Sequence, residues 1–331
     1  MELWLSAICI IVLALLIDRF VGEVPNAIHP LRWMGNILYF LDRHIKRTSK
    51  YATRFKGFLS YLLVAFLFLF ASLLLSALSR HFLGEIVWIV VTAFLFKINF
   101  AIFSFRHHVI PIQRDLENND LEAAAAKTQM IVSRKTAGMD AEHIASSCTE
   151  TISENLVDSV VSPTLFFGLL GLPGAIMFRC ANLMDAMWGY LNERYGNLGF
   201  FPAKFDDVLG FIGARVSIVF VTIAAFILRM DWRAVIPMAR QGKDLTPSPN
   251  SAWSMVACAA ALGIRMEKAG VYVMGKGEMP TVGDITRCYR LVELTSIIFI
   301  ICVTLPLYAF IGIDIQLFFE GLIIKFGGMI L

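Results

Sequence analysis

The chain has 331 residues, 57% of them hydrophobic and 17% charged, with mean hydropathy +0.68 and a formal net charge of +3. Soluble domains carry about a quarter charged residues, so this composition excludes an ordinary soluble protein and points to a multi-pass membrane protein. The small net charge leaves no basic footprint for nucleic acid, which is not expected as a partner. No hydrophilic block is long enough for a separate soluble unit, so residues 1–331 read as a single integral-membrane domain with polar inserts at about 106–158 and 229–290.

A span needs roughly 17–25 apolar residues. Residues 3–17 are apolar, lack a basic leader and an A-x-A-like exit, and run into Asp18-Arg19, which predicts a retained helix. The segment 42–56 holds Arg43, Lys46, Arg47, Lys50, Arg54 and Lys56 against one acid. The positive-inside rule puts it in the cytoplasm and the N-terminus outside. Residues 57–78 and 86–105 qualify as spans, the second with Lys97 inside it, to pair with an acid or snorkel. Between 106 and 158 nine acids face five Lys/Arg. There Asn119 or Asp120 can cap a helix reaching about Arg134, and Asp140 can cap the next.

Residues 160–177 are apolar but broken by Pro163 and by Gly171-Leu172-Pro173-Gly174. They fit a kinked span, a re-entrant hairpin or two half-helices, and the sidedness of everything downstream depends on which. Residues 208–228 and 291–313 are further spans, and the tail after Asp314 is interfacial or spanning. Between the last two spans, Pro247-Ser248-Pro249-Asn250 is a rigid turn before a helix capped by Asn250 or Ser251. Residues 270–277 read as a hairpin or loop, and Thr281-x-x-Asp284 has capping-box character. The expected fold is an all-α, multi-pass transmembrane helical bundle with amphipathic or aqueous helices in its loops and at least one Pro/Gly-broken membrane segment. The six cysteines are scattered with no metal-ligand spacing and read as small buried residues.

Glu150, Glu154 and Asp158 recur every four residues and would make one carboxylate stripe on a helix. Like charges one turn apart repel unless a cation lies between them, and Mg²⁺ prefers oxygen ligands, so all three are candidate metal ligands. Asn155 beside them can orient an amide. Asn182, Asp185, Gly189 and Asn192 follow at i, i+3, i+7 and i+10, again one helix face, with Glu193-Arg194-Tyr195 after them. Lys204, Asp206 and Asp207 form a mixed cluster at the start of a span. Arg32, in His29-Pro30-Leu31-Arg32-Trp33, suits bidentate binding of an anion. Gly275-Lys276-Gly277 lacks Walker spacing, so it is not a phosphate loop.

Taken in order, these motifs resemble the adenosylcobinamide-phosphate synthases, the CbiB/CobD family of cobalamin-biosynthesis membrane proteins. The resemblance rests on Asp18, Gly22-Glu23, Pro25, His29-Pro30 and Trp33-Met34-Gly35, then on Ile131 to Arg134 with Thr136, and on Glu150 through Ser153-Glu154-Asn155 to Asp158. It is densest at Asn182-Leu183-Met184-Asp185, Gly189-Tyr190, Glu193-Arg194-Tyr195, Asp206-Asp207 and Ala214-Arg215. It continues through Pro247 to Ser251 with Trp253, Ala261-Leu262-Gly263 with Arg265, and Gly283-Asp284. Val24 departs where the family tends to carry the first of two prolines, Lys135 where an acid is common, and Ala252 where glycine is frequent.

The resemblance implies an ATP-dependent ligase of the cytoplasmic membrane. It would join a propionate of adenosylcobyric acid to the amine of aminopropanol phosphate or ethanolamine phosphate. Mg²⁺ and ATP would be required, ATP as co-substrate and the corrinoid as substrate. The lipid bilayer is a partner, as is a second copy of the chain or another cobalamin-assembly membrane enzyme. Glu154, Asp158, Asp185 and Asp207 would share metal coordination and deprotonation of the amine. Asn155, Asn182 and Asn250 would position amides, with His29, Ser251 and Trp253 completing the substrate contacts. Arg32, Lys135, Arg194 and Arg265 would meet phosphates or the corrin carboxylate. No ATP-grasp or Walker signature is present to place the nucleotide. Two other classes remain open: an ion-coupled transporter, against which no inverted repeat is visible, and a non-catalytic scaffold or sensor.

Overall fold

The computed structural model describes residues 2–327. In chain order its helices are α1 (Leu3–Leu16), α2 (Pro30–His44), α3 (Lys50–Leu83), α4 (Glu85–Lys97), α5 (Arg106–Glu117), α6 (Leu121–Gln129), α7 (Ala141–Asn155), α8 (Ser162–Leu170), α9 (Leu172–Trp188), α10 (Phe200–Ile227), α11 (Trp232–Gly242) and α12 (Ser251–Leu262). An antiparallel hairpin of β1 (Arg265–Lys268) and β2 (Tyr272–Gly275) follows, then α13 (Val282–Phe299), α14 (Leu305–Leu307) and α15 (Ile313–Gly327), joined by π turns. Among the described residues four helical runs are long and apolar enough to cross a bilayer: Leu3–Val21, Lys50–Leu83, Phe200–Ile227 and Val282–Phe326. The protein is an all-α multi-pass membrane bundle carrying one small hairpin.

Contacts divide the chain into two compact units. The first comprises Met1–Ala101, Ser162–Leu209 and Ile301–Leu331, the second Ile102–Val161 and Gly210–Ile300.

In the first unit α1 packs on α4, α4 on α3, and α3 on both α9 and α15. At 34 residues α3 is about 51 Å long, well beyond a hydrocarbon core of about 30 Å. The expected span 86–105 is shorter than hydropathy suggested. Its helix stops at Lys97, is only about 20 Å long, and cannot cross alone. The stop has a physical cause. Lys97 is completely buried, and its ammonium donates to Glu23 Oε1 at 2.7 Å and lies 3.3 Å from Asp18 Oδ1. The Asn99 amide then takes the Leu95 carbonyl, at 2.7 Å. Pairing, not snorkelling, is what the buried lysine does.

The broken segment is a hairpin of two half-helices, α8 and α9, packed on each other. Gly171 sits between them with φ +69°, and a Cβ at Gly174 would lie 2.1 Å from the Phe166 carbonyl oxygen. Residues eight apart would be about 12 Å apart along one helix, so this approach requires the chain to double back. Phe167 of α8 stacks on Phe96 with centroids 3.6 Å apart and touches the buried Tyr308. Glu320, inside the last span, is buried and met by neutral donors: Ser76 Oγ at 2.7 Å, Gln316 Nε2 at 2.8 Å and Trp88 Nε1 at 3.2 Å.

In the second unit α7 packs against α13, α12 and β1, and α11 lies on α12. The predicted caps form: Asp120 accepts from Ala123 N–H at 3.0 Å, Asp140 from His143 N–H at 2.9 Å, and Thr281 with Asp284 makes a reciprocal capping box. α6 ends at Gln129, earlier than the expected Arg134, because the Gln129 amide takes the Val132 and Arg134 carbonyls and turns the chain. Asn250 heads α12 without capping it, since its side-chain oxygen is used elsewhere. Cys148, Cys180, Cys258 and Cys288 are buried and unbridged as expected, but Cys9 is half-buried and Cys302 exposed, so the reading of all six as buried holds for four.

The glycine contact in the first unit makes a stability prediction. Gly174→Ala forces α9 away from the Phe166 carbonyl and should cost about 1–3 kcal/mol, lowering the thermal midpoint of the detergent-solubilised protein. An unchanged midpoint would contradict the hairpin packing.

Candidate functional site

The carboxylate stripe lies in the second unit, and its three members have different fates. Asp140 starts α7, but the helix loosens into a π turn at Leu156–Val161, so the interval from Glu154 to Asp158 crosses a change of pitch. Glu150 is 2% exposed and fully engaged. Its Oε1 accepts from Arg134 at 3.1 Å and from Ser146 Oγ at 3.0 Å, while its Oε2 accepts from Tyr272 Oη at 2.6 Å and pairs with the other Arg134 nitrogen. Burial pulls the Arg134 guanidinium down, yet the hydrogen bond and charge of Glu150 hold it above its ordinary value. The Tyr272 phenol is pushed up by burial and further by Glu150, so it stays a donor. Both oxygens of Glu150 and its charge are thus already matched by protein, which leaves little capacity for the metal ion its spacing suggested. Glu154 is exposed and Asp158 half-buried.

Other predicted residues of this unit are distributed around it. Asn155 spends its carboxamide locally, donating to the Thr151 carbonyl at 2.9 Å and accepting from Ser159 at 2.7 Å. Asn250 accepts from Arg215 at 2.9 Å, and the Arg215 guanidinium lies 5.1 Å from the Trp253 ring. Ser251 bonds Thr246, at 3.1 Å. Lys135 is exposed beside Arg134, and Arg265 is exposed at the start of β1, 3.9 Å from Glu267.

The first unit holds a denser acidic group. Asp185 lies in the last turn of α9, outside the four long spans, and the first turns of α10 bring Asp206 and Asp207 to it. Gly189 ends the helix, and a Cβ there would sit 2.0 Å from Asp185 Oδ1. The glycine therefore makes room for this chain's own carboxylate. Asn192 falls beyond the helix, in a loop, and does not share the face that its spacing suggested. Lys204 pairs with Asp207 at 2.9 Å. Asn182 accepts from Arg179 at 3.2 Å and hydrogen-bonds Asp206, whose Oδ1 is buried without a hydrogen-bond partner among the described residues. Burial, and then the charge of Asp207, push the Asp185 carboxyl up to about 6, with Lys204 opposing.

Nearby predicted residues of the same unit are committed to structure. His29 uses Nδ1 to accept the Leu31 N–H at 3.1 Å, capping α2, and Nε2 to meet Glu23 at 3.2 Å. Arg194 donates to Asp42 Oδ2 at 2.5 Å, and Tyr195 Oη reaches the same oxygen at 3.3 Å. Arg47 pairs with the other Asp42 oxygen. Burial raises the Asp42 carboxyl, but the hydrogen bonds and charges of Arg194 and Arg47 hold it below the usual range. Its contribution to stability is thus present at neutral pH and lost as pH falls through that lowered value. Arg32 is exposed.

Sequence reasoning missed Asp42 and Tyr272 as supporting residues, and it named Arg134 and Arg215 only as motif residues and Asp206 only as part of a mixed cluster. Asp42 carried a readable signal, as the single acid in a strongly basic segment. Tyr272 carried none, since it meets Glu150 across 122 residues of sequence.

Among the described residues no group of three or more His, Cys, Asp or Glu side chains is placed to hold a metal ion by itself. Mg²⁺, however, is commonly held by one or two carboxylates together with substrate phosphates. Asp206 fits that mode: a carboxylate crowded by Asp185, with a buried oxygen lacking a donor among the described residues. The Glu150 arrangement yields a prediction. Arg134→Met leaves a buried carboxylate uncompensated and should cost about 3–5 kcal/mol, whereas Glu150→Gln should leave the Mg²⁺ concentration dependence of activity unchanged. A shifted Mg²⁺ dependence in Glu150→Gln would restore Glu150 as a ligand.

The family model described as CobD/Cbib protein matches residues 11–298. The chain is 36% identical over 271 residues to a probable cobalamin biosynthesis protein CobD of Methanothermobacter thermautotrophicus, covering 82% of this chain and 88% of that one. It is 32% identical over 308 residues to the similarly described protein of Methanocaldococcus jannaschii, covering 89% and 97%. With the cobalamin biosynthesis protein CobD of Clostridium perfringens it shares 30% over 274 residues, covering 83% and 87%. No solved structure matches it. The chain belongs to the CobD/CbiB family.

Proposed function

We propose that this chain is a ligase of the cytoplasmic membrane that joins adenosylcobyric acid to aminopropanol phosphate, or to ethanolamine phosphate, giving adenosylcobinamide phosphate. The observation that carries the reading is Asp185, a half-buried carboxyl pushed up to about 6 beside Asp207 and Lys204. An amine can attack only after losing a proton, and a carboxyl tuned toward neutrality is matched to accept one. An ordinary surface carboxylate is a weaker base.

Amide formation from a carboxylate needs activation, which ATP supplies by phosphorylating the corrin propionate with loss of ADP. The amine nitrogen, having passed its proton to Asp185, attacks the acyl carbon; the C–N bond forms, the C–O bond to phosphate breaks, and inorganic phosphate leaves. Mg²⁺, when bound, supplies charge neutralisation at the phosphate oxygens. Asp206 would hold it together with the substrate phosphates, Asp207 would be kept in place by Lys204, and Asn182 would orient Asp206. Glu154 and Asp158, Arg32, Lys135 and Arg265 remain candidates for the charged groups of the substrates. Trp253 with Arg215 and Asn250 offers an aromatic face and a cation to a corrin side chain.

The test is purified protein with adenosylcobyric acid, aminopropanol phosphate and Mg-ATP, followed by mass spectrometry of the corrinoid. Wild-type protein should give the amide, and folded protein that gives none overturns the reading. Because the base must be deprotonated, kcat/KM should rise with pH through about 6 and then level. Asp185→Asn should remove that limb and lower the rate by about 10²–10⁴-fold; retention of both the limb and the rate would take the role away from Asp185.

A further inference from the structure

The first unit contains a cavity of about 520 Å³ that the proposed chemistry does not use. It lies between the last turns of α3 and α15, which pack on each other. Arg80 and His81 of α3 line it, as do Glu320, Gly321 and Lys325 of α15, and the rest of the lining is aliphatic. Arg80 and His81 follow closely on the apolar run 57–78, so the cavity sits at the level of the lipid headgroups.

The two oxygens of Glu320 are treated unequally. The residue is 3% exposed, and Oε1 alone accepts from Ser76, Gln316 and Trp88. Oε2 is buried with no hydrogen-bond partner among the described residues. Leaving a buried acceptor unmet is unfavourable, so each such atom calls for a reason. Charge is not what this carboxylate lacks. The Arg80 guanidinium, 5.0 Å from the Trp88 ring centroid, already acts on it. What Oε2 lacks is a donor. An ammonium would have to share the cavity with Arg80 and Lys325, whereas a neutral hydroxyl meets no such repulsion.

Room for that donor exists beside the acid. A Cβ on Gly321 would meet no described atom within 4 Å. Arg80, His81 and Lys325 are exposed, where they can meet an anion without burying it. Two permanent cations more than match the single charge of a phosphodiester. Leu78, Phe82 and Phe318, next to the lining residues in sequence, are exposed and apolar, as a lipid-facing surface requires.

We propose that this cavity between α3 and α15 binds an anionic phospholipid whose headgroup carries a free hydroxyl. The phosphate rests on Arg80 and Lys325, and the hydroxyl donates to Glu320 Oε2. The volume lies within the range of small-molecule sites and takes a glycerol-sized headgroup. The inference is independent of the ligase reading, since it requires neither corrinoid nor ATP.

The test is native mass spectrometry of the full-length detergent-solubilised protein with competing lipids. Phosphatidylglycerol competes with phosphatidylmethanol, which has the same charge and no hydroxyl, and with phosphatidylethanolamine, which offers an ammonium. Phosphatidylglycerol should be retained about tenfold over either. Gly321→Leu fills the cavity without changing charge and should bring phosphatidylglycerol down to the level of phosphatidylmethanol. Glu320→Met should abolish the same discrimination, and Arg80→Gln should weaken both anionic lipids. Thermal melting like that of wild type qualifies each variant as folded, and Gly321→Leu stands in for Glu320→Met if the latter does not fold. Equal retention of phosphatidylglycerol and phosphatidylmethanol by wild type, or a preference for phosphatidylethanolamine, overturns the proposal. So does wild-type discrimination by folded Gly321→Leu, or calorimetric binding of free glycerol 3-phosphate with no preference among the lipids.

Discussion

A charge carried into an apolar protein must find its counter-charge or a set of donors, and that constraint organises this structure. Burying an isolated ion costs several kcal/mol even after relaxation. Lys97 is tolerated at the end of α4 because Asp18 and Glu23 converge on it, and the helix ends there. Glu150 is tolerated because Arg134, Tyr272 and Ser146 take its two oxygens. Asp42 anchors Arg47 and Arg194, and Glu320 is met by neutral donors. For Lys97, Glu150 and Asp42 the pairing holds elements together and leaves little capacity for a ligand, whereas Glu320 keeps a buried Oε2 without a hydrogen-bond partner among the described residues.

Asp185, Asp206 and Asp207 depart from that pattern. Three carboxylates are brought together by the end of α9 and the start of α10, with one lysine among them and one buried oxygen without a donor. Crowding like charges is an unfavourable local arrangement. Structure alone gains nothing from it, whereas a reaction that must accept a proton and hold phosphate does.

How much of this was legible in the sequence follows from range. Caps are local, so Asp120, Asp140 and Thr281 with Asp284 could be read directly, and so could the break at Gly171 to Gly174. The length of α4 was not legible, because hydropathy continues past Lys97 while the backbone stops at its counter-ions. The stripe looked like a metal site because spacing shows Glu150, Glu154 and Asp158 but not Arg134 and Tyr272. Asp185 and Asp207 were visible as acids in an apolar context, yet their crowding required the turn after Gly189. Whether an acid is structural or functional depends on what folds onto it.

That distinction can be measured through the opposition of stability and turnover. Asp206→Asn removes one of the crowded charges and should raise the thermal midpoint of the purified protein while abolishing amide formation. Asp42→Asn removes a paired charge and should lower the midpoint. If Asp206→Asn is instead destabilised, or is stabilised and keeps its turnover, the three aspartates are a structural cluster and the reactive centre lies elsewhere.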